Sequence, residues 1–453
     1  MEKIKTFLKE NKIETLFIAV SILFGALFGF AIIAYDDATN VGIVGTTLKE
    51  NILYNLGTYR TWTSRILINT GWSSIIGHGV FVYMLYMGVS MYVLLKALFL
   101  LFSGEKKYKR AVFTVFAVML FPFHLLWSAG WIATTGTYFG PQAFGMMGLV
   151  PMRKIYDGVK ITIKEMIWYS LCLIYAANFE QACVALLFLY GVFVLCMIFE
   201  KKIRWESFWF LGLCVASLVF ILTCPGNWGR SDTENRLFET YGMLSFTDKI
   251  ELATTRTLKW IYIDGTILTI VLFGMICAVV WKKYEDKGYR LISAIPFAVS
   301  VLLGPLNPLV GFLFPKTVKL NTDVDYYGAI NVASRGVGIG LLQVFVFLAL
   351  SLLVLICLFL INDTVLGLIM DISLVLIGVG TGAMMGLSPT IYASGGRTFS
   401  TLAFCIIILM LHIYSKNRKA LKSSKIDLVY VEYGVILFSF LNLASLVMTQ
   451  FYQ

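Results

Sequence analysis

The sequence predicts an all-α integral membrane protein: one polytopic domain over 1–453, with about 13 transmembrane helices and extracytoplasmic loops at 35–77, 224–259 and 305–336. Three observations predict it. Of 453 residues, 58% are hydrophobic and 14% charged, which is too apolar for a water-soluble domain. Apolar runs of about 18 or more residues recur along the chain, the length that crosses ~30 Å of hydrocarbon. The runs are continuous rather than alternating, which selects helices over barrel strands, the two structures that satisfy backbone polar groups in lipid.

In order, the expected spans are 14–34, 78–102, 111–128, 138–152, 163–178, 181–200, 206–223, 260–281, 291–304, 337–361, 365–386, 398–414 and 428–449. The fourth and ninth are short, and read as tilted, re-entrant or extended into a loop. Orientation follows from lysine and arginine in short loops. Lys3, Lys5, Lys9 and Lys12 precede the first span, and Lys106, Lys107, Lys109 and Arg110 follow the second. Arg153 and Lys154, then Lys201, Lys202 and Arg204, then Lys282, Lys283, Lys287 and Arg290, then Lys416, Arg418, Lys419, Lys422 and Lys425 follow the fourth, sixth, eighth and twelfth spans. All of these clusters are cytoplasmic if the amino terminus is inside. The formal charge of +11 therefore belongs to membrane topology and not to nucleic-acid binding.

The eight cysteines sit in or beside apolar runs without a C-x-x-C, so they read as small buried hydrophobes. His78, His124 and His412 lie far apart, which argues against a histidine-rich metal site. No cleavable signal pattern is expected at the start, because 14–34 is long enough to span.

The unusual polar residues gather on the opposite, outer side. Asp36-Asp37 follow the first span and read as a general base, a metal ligand or a solvated cap. Asn178-Phe179-Glu180 interrupts an apolar stretch; the pair either orients a ligand by hydrogen bonds or forms a plain turn with Glu180 in water. In Pro225-Gly226-Asn227-Trp228-Gly229-Arg230 the proline ends a span, the glycines allow close backbone approach to a ligand, and the arginine fork suits phosphate oxygens. The alternative there is a turn whose arginine reaches to headgroups. Arg65, Arg335 and Arg397 add outer-face cations; Arg397 ends the segment that begins at Ser388-Pro389. The outer loop 35–77 also holds two stretches fit for interfacial amphipathic helices, and Trp62, Trp72, Trp131 and Tyr138 suit a headgroup-level belt. Asp371, within the eleventh expected span, stays unassigned. No P-loop or Rossmann glycine fingerprint and no internal repeat is present.

Taken in order, Asp36-Asp37, Trp62 with Arg65, Tyr138 with Pro141, Asn178 with Glu180, Pro225 to Arg230, and Ser388-Pro389 with Arg397 resemble the GT-C superfamily of multi-pass membrane glycosyltransferases, and within it an incompletely characterised bacterial family. Gly140 stands where that pattern has an aromatic residue. The resemblance implies an inverting glycosyltransferase in the bacterial plasma membrane, working on its outer side. A sugar would move from a polyprenyl-phosphate carrier to a hydroxyl of a surface glycan. It implies Asp36 or Asp37 as base, Arg230, Arg397 and Arg65 at the donor phosphate, and Asn178, Glu180, Asn227, Tyr138 and Trp131 at sugar or acceptor. No metal ligand set is visible, and a divalent metal is left open as cofactor. The competing expectations are a lipid-linked glycan flippase or transporter, and an oligosaccharide polymerase or ligase.

Overall fold

The computed structural model describes residues 11–102, 108–315, 337–422 and 428–451, apart from 32, 42, 44, 46 and 265; Arg335 and most of the loop 305–336 lie outside them. Every regular element among the described residues is helical. The chain divides into two compact units: 1–119, 123–233 and 443–453 form the first, and 120–122 with 234–442 form the second.

The first unit begins with α1 (Lys12–Leu27), continued by a 3-10 turn at Phe28–Phe30. It packs on α5 (Val80–Phe102) through small residues. A methyl group on Gly88 would lie 3.1 Å from the Ser21 carbonyl oxygen, so the two backbones meet as closely as glycine permits. Glu14, the one carboxylate on α1, accepts from the Tyr92 hydroxyl at 2.9 Å and pairs with Lys96.

Between these helices lie α2 (Asp36–Val41), α3 (Leu48–Thr61) and α4 (Ile66–His78). The expected loop 35–77 is thus largely helical. Its longer helix starts with a capping box: Thr47 accepts from Glu50 N–H while the Glu50 carboxylate accepts from Thr47 N–H. There follow α6 (Tyr108–Met119), α7 (Trp131–Tyr138), α8 (Gly140–Tyr156), α9 (Ile163–Ala177), α10 (Glu180–Phe199), α11 (Trp205–Leu222) and α12 (Pro225–Glu234).

The second unit contains α13 (Phe246–Tyr262), α14 (Ile267–Lys283), α15 (Lys287–Leu303), α16 (Asn307–Leu313), α17 (Val337–Ile361), α18 (Val365–Ala383) and α19 (Ser400–Lys422), then most of α20 (Leu428–Phe451). Ser245 and Asp248 form another capping box at the start of α13, while Thr266, Asp286 and Thr364 cap the helices that follow them.

Among the described residues eight helices are long and apolar enough to cross a membrane, or ten if two bent pairs each count as a span. The sequence led us to expect about 13. Three expected spans are short in the structure: α6, α8 and α9 have 12, 17 and 15 residues. At ~1.5 Å per residue they reach about 18–26 Å. The expected span 260–281 is bent, because α13 and α14 meet at 69° across Ile263–Thr266.

Candidate functional site

The polar motifs of the first unit come together at one end of its helices, and most of them hold backbone. The segment Thr63–Arg65 is the hub. Asn178 and Glu180 flank the junction between α9 and α10, and Asn227 lies in the first turn of α12. All three reach that segment.

Asn178 is buried. Its Oδ1 accepts from the N–H of Leu67 at 3.0 Å and of Ile68 at 3.3 Å, and its Nδ2 donates to the Ser64 carbonyl at 3.0 Å. It therefore caps α4 from more than 100 positions away in sequence, supplying the acceptor that a local Ser, Thr, Asn or Asp usually gives to the first N–H groups. The local N-cap, Arg65, gives none.

Asn227 holds the other side of Ser64. Its Oδ1 accepts from Ser64 N–H at 3.2 Å; its Nδ2 donates to Ser64 Oγ at 3.2 Å and to the Ile221 carbonyl, in the last turn of α11, at 3.1 Å. Gly226 explains the glycine beside it. A Cβ there would overlap the Trp62 amide nitrogen and lie 2.8 Å from that of Thr63. The backbone that Gly226 admits is the chain's own, where the sequence reading placed a ligand.

Arg65 is expected at a phosphate. In the structure its Nε donates to Glu180 Oε2 at 2.7 Å, its Nη2 lies 2.7 Å from the same oxygen, and its guanidinium lies 5.2 Å over the Phe179 ring. Burial works against the Arg65 charge, yet Glu180 and Tyr138 beside it hold the guanidinium above its usual proton affinity. Glu180 keeps one group uncommitted: Oε1 is buried, with no hydrogen-bond partner among the described residues.

The two aspartates divide sharply. Asp36 is exposed at the start of α2. Asp37 is 0% exposed, and its two oxygens accept from the N–H groups of Ile132 at 2.9 Å and Ala133 at 2.8 Å. It is the remote cap of α7, whose own N-cap position is Gly130 at φ 96°. A Cβ on Gly130 would lie 2.6 Å from the Asp37 carboxyl carbon, so that glycine serves both backbone conformation and close approach. Burial pushes the Asp37 carboxyl up to about 6, against the Ala133 and Ile132 N–H groups, which favour the anion; Asp36 adds to the upward push.

Trp131, expected at an acceptor, is 2% exposed; its ring packs edge-on to Phe28 and its carbonyl accepts from the Tyr83 hydroxyl. Tyr138, at the far end of α7, packs edge-on to Phe179 with centroids 5.1 Å apart. So α7 is a rod of about 10 Å with the Asp37 cap at one end and the Arg65–Glu180 pair beside the other. Gly140 follows it, and a Cβ there would fall on the Tyr86 hydroxyl, which itself lies 3.1 Å from the Tyr175 hydroxyl. A tyrosine from another helix already fills the space that an aromatic at 140 would need. Arg230 is half-buried on α12, three positions past Asn227.

In the second unit, Arg397 is half-buried in a 3-10 turn, Gly395–Phe399. The segment before it is anchored by two residues that sequence reasoning missed. The Tyr241 hydroxyl donates to the Gly386 carbonyl at 3.0 Å, and Arg256 on α13 donates to the carbonyls of Ile391 and Gly395. The signal available for Arg256 was the Ser245…Asp248 capping box, which marks a helix inside the expected loop 224–259. On another side, α13 and α17 line a cleft of about 350 Å³ whose wall includes Phe246, Ile250, Leu258 and Phe347.

A further polar cluster surrounds Asp371, which is 1% exposed. Asn362 Nδ2 donates to its Oδ2 at 2.6 Å, and His412 Nδ1 contacts its Oδ1. Lys416 Nζ donates to Asn362 Oδ1 at 3.3 Å and to Thr364 Oγ1 at 3.1 Å. Among the described residues no group of three or more His, Cys, Asp or Glu is placed to hold a metal ion. The cysteines of the described residues are free, and all but Cys277 are buried.

Set against protein-family models, curated proteins and solved structures, the chain matches none of them.

Proposed function

We propose that this protein is an inverting glycosyltransferase of the bacterial plasma membrane, with its amino terminus in the cytoplasm and its site on the outer side. It takes a sugar from a polyprenyl-phosphate carrier and transfers it to a hydroxyl of a surface glycan. The observation that carries the reading is the contrast between Asp36 and Asp37: an exposed carboxylate is held at the end of the first span by a buried neighbour committed to a helix start. A base has to reach its substrate, so Asp36 is the base and Asp37 positions it. The acceptor hydroxyl gives its proton to Asp36 and its oxygen bonds to the anomeric carbon. The bond from that carbon to the phosphate oxygen breaks on the opposite face, and polyprenyl phosphate leaves with the electron pair.

Arg230, on α12 of the same unit as Asp36, serves the phosphate. Arg65 is left out of that role because Glu180 neutralises it. The buried Oε1 of Glu180 accepts a hydroxyl of sugar or acceptor, while Asn178 and Asn227 act by holding Thr63–Arg65 in place.

A second reading, coupled transport of a lipid-linked glycan, draws on Asp371. A carboxylate buried within a span beside a histidine is costly and marks function by default. One experiment separates the two: product formation by purified protein from a polyprenyl-phosphate sugar, with Asp36→Asn and Asp37→Asn alongside. Asp36→Asn is expected to lower turnover by about 10²–10⁴-fold with unchanged stability, and Asp37→Asn to alter stability as well. Full activity in Asp36→Asn would remove the base assignment. Movement of the lipid-linked sugar across vesicles without a covalent product, lost in Asp371→Asn, would favour transport.

A further inference from the structure

We propose that α3 lies sunk in the bilayer leaflet at its end of the spans, with lipid hydrocarbon covering its outward face, and that this embedding sets the depth at which the segment 63–65 is held. The inference rests on the chain being a membrane protein and not on the transfer reaction.

α3 is built inside out. A helix bathed in water turns its apolar residues inward and its polar residues outward. On α3 the inward residues are Asn51 and Asn55, 0% and 1% exposed, while Leu53 and Leu56 are 60% and 50% exposed. The chain itself supplies the buried amides with partners. Asn51 Oδ1 accepts from the Gly45 N–H at 2.9 Å; its Nδ2 donates to the Gly45 carbonyl at 3.0 Å and to Ser74 Oγ at 3.3 Å. Asn55 Nδ2 donates to the Asn51 carbonyl at 2.8 Å and to Ser73 Oγ at 3.5 Å. A polar seam thus joins α3 to α4. Such a seam is the stable arrangement where the medium outside offers no hydrogen bonds and tolerates leucine.

The surroundings of α3 point to lipid as that medium. With 14 residues it reaches about 21 Å, too short to cross ~30 Å of hydrocarbon. The Tyr59 ring, in its last turn, stacks on Phe220 with centroids 4.8 Å apart, and the Tyr59 hydroxyl donates to the Phe220 carbonyl at 3.1 Å. Phe220 belongs to α11, which is long and apolar enough to cross a membrane and exposes Val215, Val219 and Leu222 along one face. The apolar surface of that helix therefore runs on to α3. Lys49 in the first turn of α3 and Arg60 in the last are exposed, about 16 Å apart along the axis. From an embedded helix their long stems reach lipid phosphates at both ends. α3 ends at Thr61, two residues before Thr63, so the depth of the helix is passed directly to the segment 63–65.

The test is spin-label accessibility in the full-length protein in lipid nanodiscs. Cys277→Ala removes the one cysteine of the described residues that is not buried. Labels are placed at Leu53→Cys and Leu56→Cys, and collisions are measured with oxygen, which concentrates in hydrocarbon, and with a water-soluble nickel chelate. Both labels are expected to meet oxygen more than chelate, at a depth of about 5–10 Å. A label at Lys160→Cys, in the exposed turn before α9, is expected to show the reverse. Chelate contact outweighing oxygen at either leucine position would overturn the inference, since water would then bathe the face. Access by neither reagent would overturn it too, because a protein surface would then cover the face. A light-activated carbene precursor dissolved in the lipid reads the unaltered chain, with adducts expected within 48–61. Adducts on α11 with none on α3 would overturn the inference whatever the labelled variants do.

Discussion

The segment 63–65 of the first unit and the segment 388–397 of the second both bear an arginine and are both held by side chains from far along the chain, but by different chemistry. The first is held by two neutral amides. Asn178 and Asn227 each donate and accept, and between them they satisfy the N–H, carbonyl and hydroxyl of Ser64. The second is held by a guanidinium that only donates, set between two rings. Amides can serve both sides of a peptide group at little electrostatic cost, so they suit a buried junction. A guanidinium offers donors alone in a planar fork, so it suits carbonyls presented to it together. In the first case the motif residues are themselves the clamp. In the second the clamp lies more than 100 positions from the motif it serves.

Removing Asn178 is the most severe way to break this comparison. Asn178→Ala strips the N–H groups of Leu67 and Ile68 of their partner at a buried site and takes one of two donors from the Ser64 carbonyl, which keeps the Ile66 N–H at 2.8 Å. Loss of the cap, with a buried N–H group left unpaired, costs about 2–4 kcal/mol, read as the change in unfolding free energy in detergent. A cost under about 1 kcal/mol would mean that the freed groups find other partners, and that the segment is not held as the geometry indicates.

Asp37 gives the next effect, through pH. Its folded carboxyl titrates at about 6, above the ordinary 3.8, so the folded state binds its proton more tightly than the unfolded chain does. The associated stability is complete below the ordinary value and is lost as pH rises through about 6. At neutral pH the loss approaches about 3 kcal/mol relative to acid. Asp37→Asn cannot titrate, so subtracting its profile from the wild-type profile isolates the contribution of this carboxyl. A difference that is flat between pH 4 and 7, or that rises with pH, would show that the N–H groups of Ile132 and Ala133 outweigh burial.

Much of the helical framework was legible in the sequence, because long apolar runs allow little else in lipid. That Arg65, Asn178, Glu180 and Asn227 share one expected side was legible too, since the last three lie at the ends of such runs and Arg65 in the loop 35–77. What those residues hold was not. Asn178 caps a helix more than 100 positions earlier and Asp37 one more than 90 positions later, and no local pattern records such pairings. Helix length was legible only in part. The apolar stretch behind the expected span 111–128 contains Pro122, and the regular helix ends at Met119. Arg256 was hidden for the opposite reason. It sits in a polar, amphipathic stretch that reads as loop until its cap is noticed.

The finest distinction is whether the two amides around Ser64 act as one clamp or two. Asn178 takes the Ser64 carbonyl and Asn227 takes its N–H and hydroxyl, so both restrain a single residue through opposite sides of its backbone. If Ser64 shifts when either is removed, the second contact weakens as well. The double variant Asn178→Ala/Asn227→Ala then costs less than the two single losses combined, by about 0.5–1 kcal/mol. The measurement is a double-mutant cycle on unfolding free energy. Combined losses that add within about 0.3 kcal/mol would mean that the junctions α9–α10 and α11–α12 grip the segment independently. That result would leave Gly226, packed on the amides of Trp62 and Thr63, as the feature that fixes its position against α12.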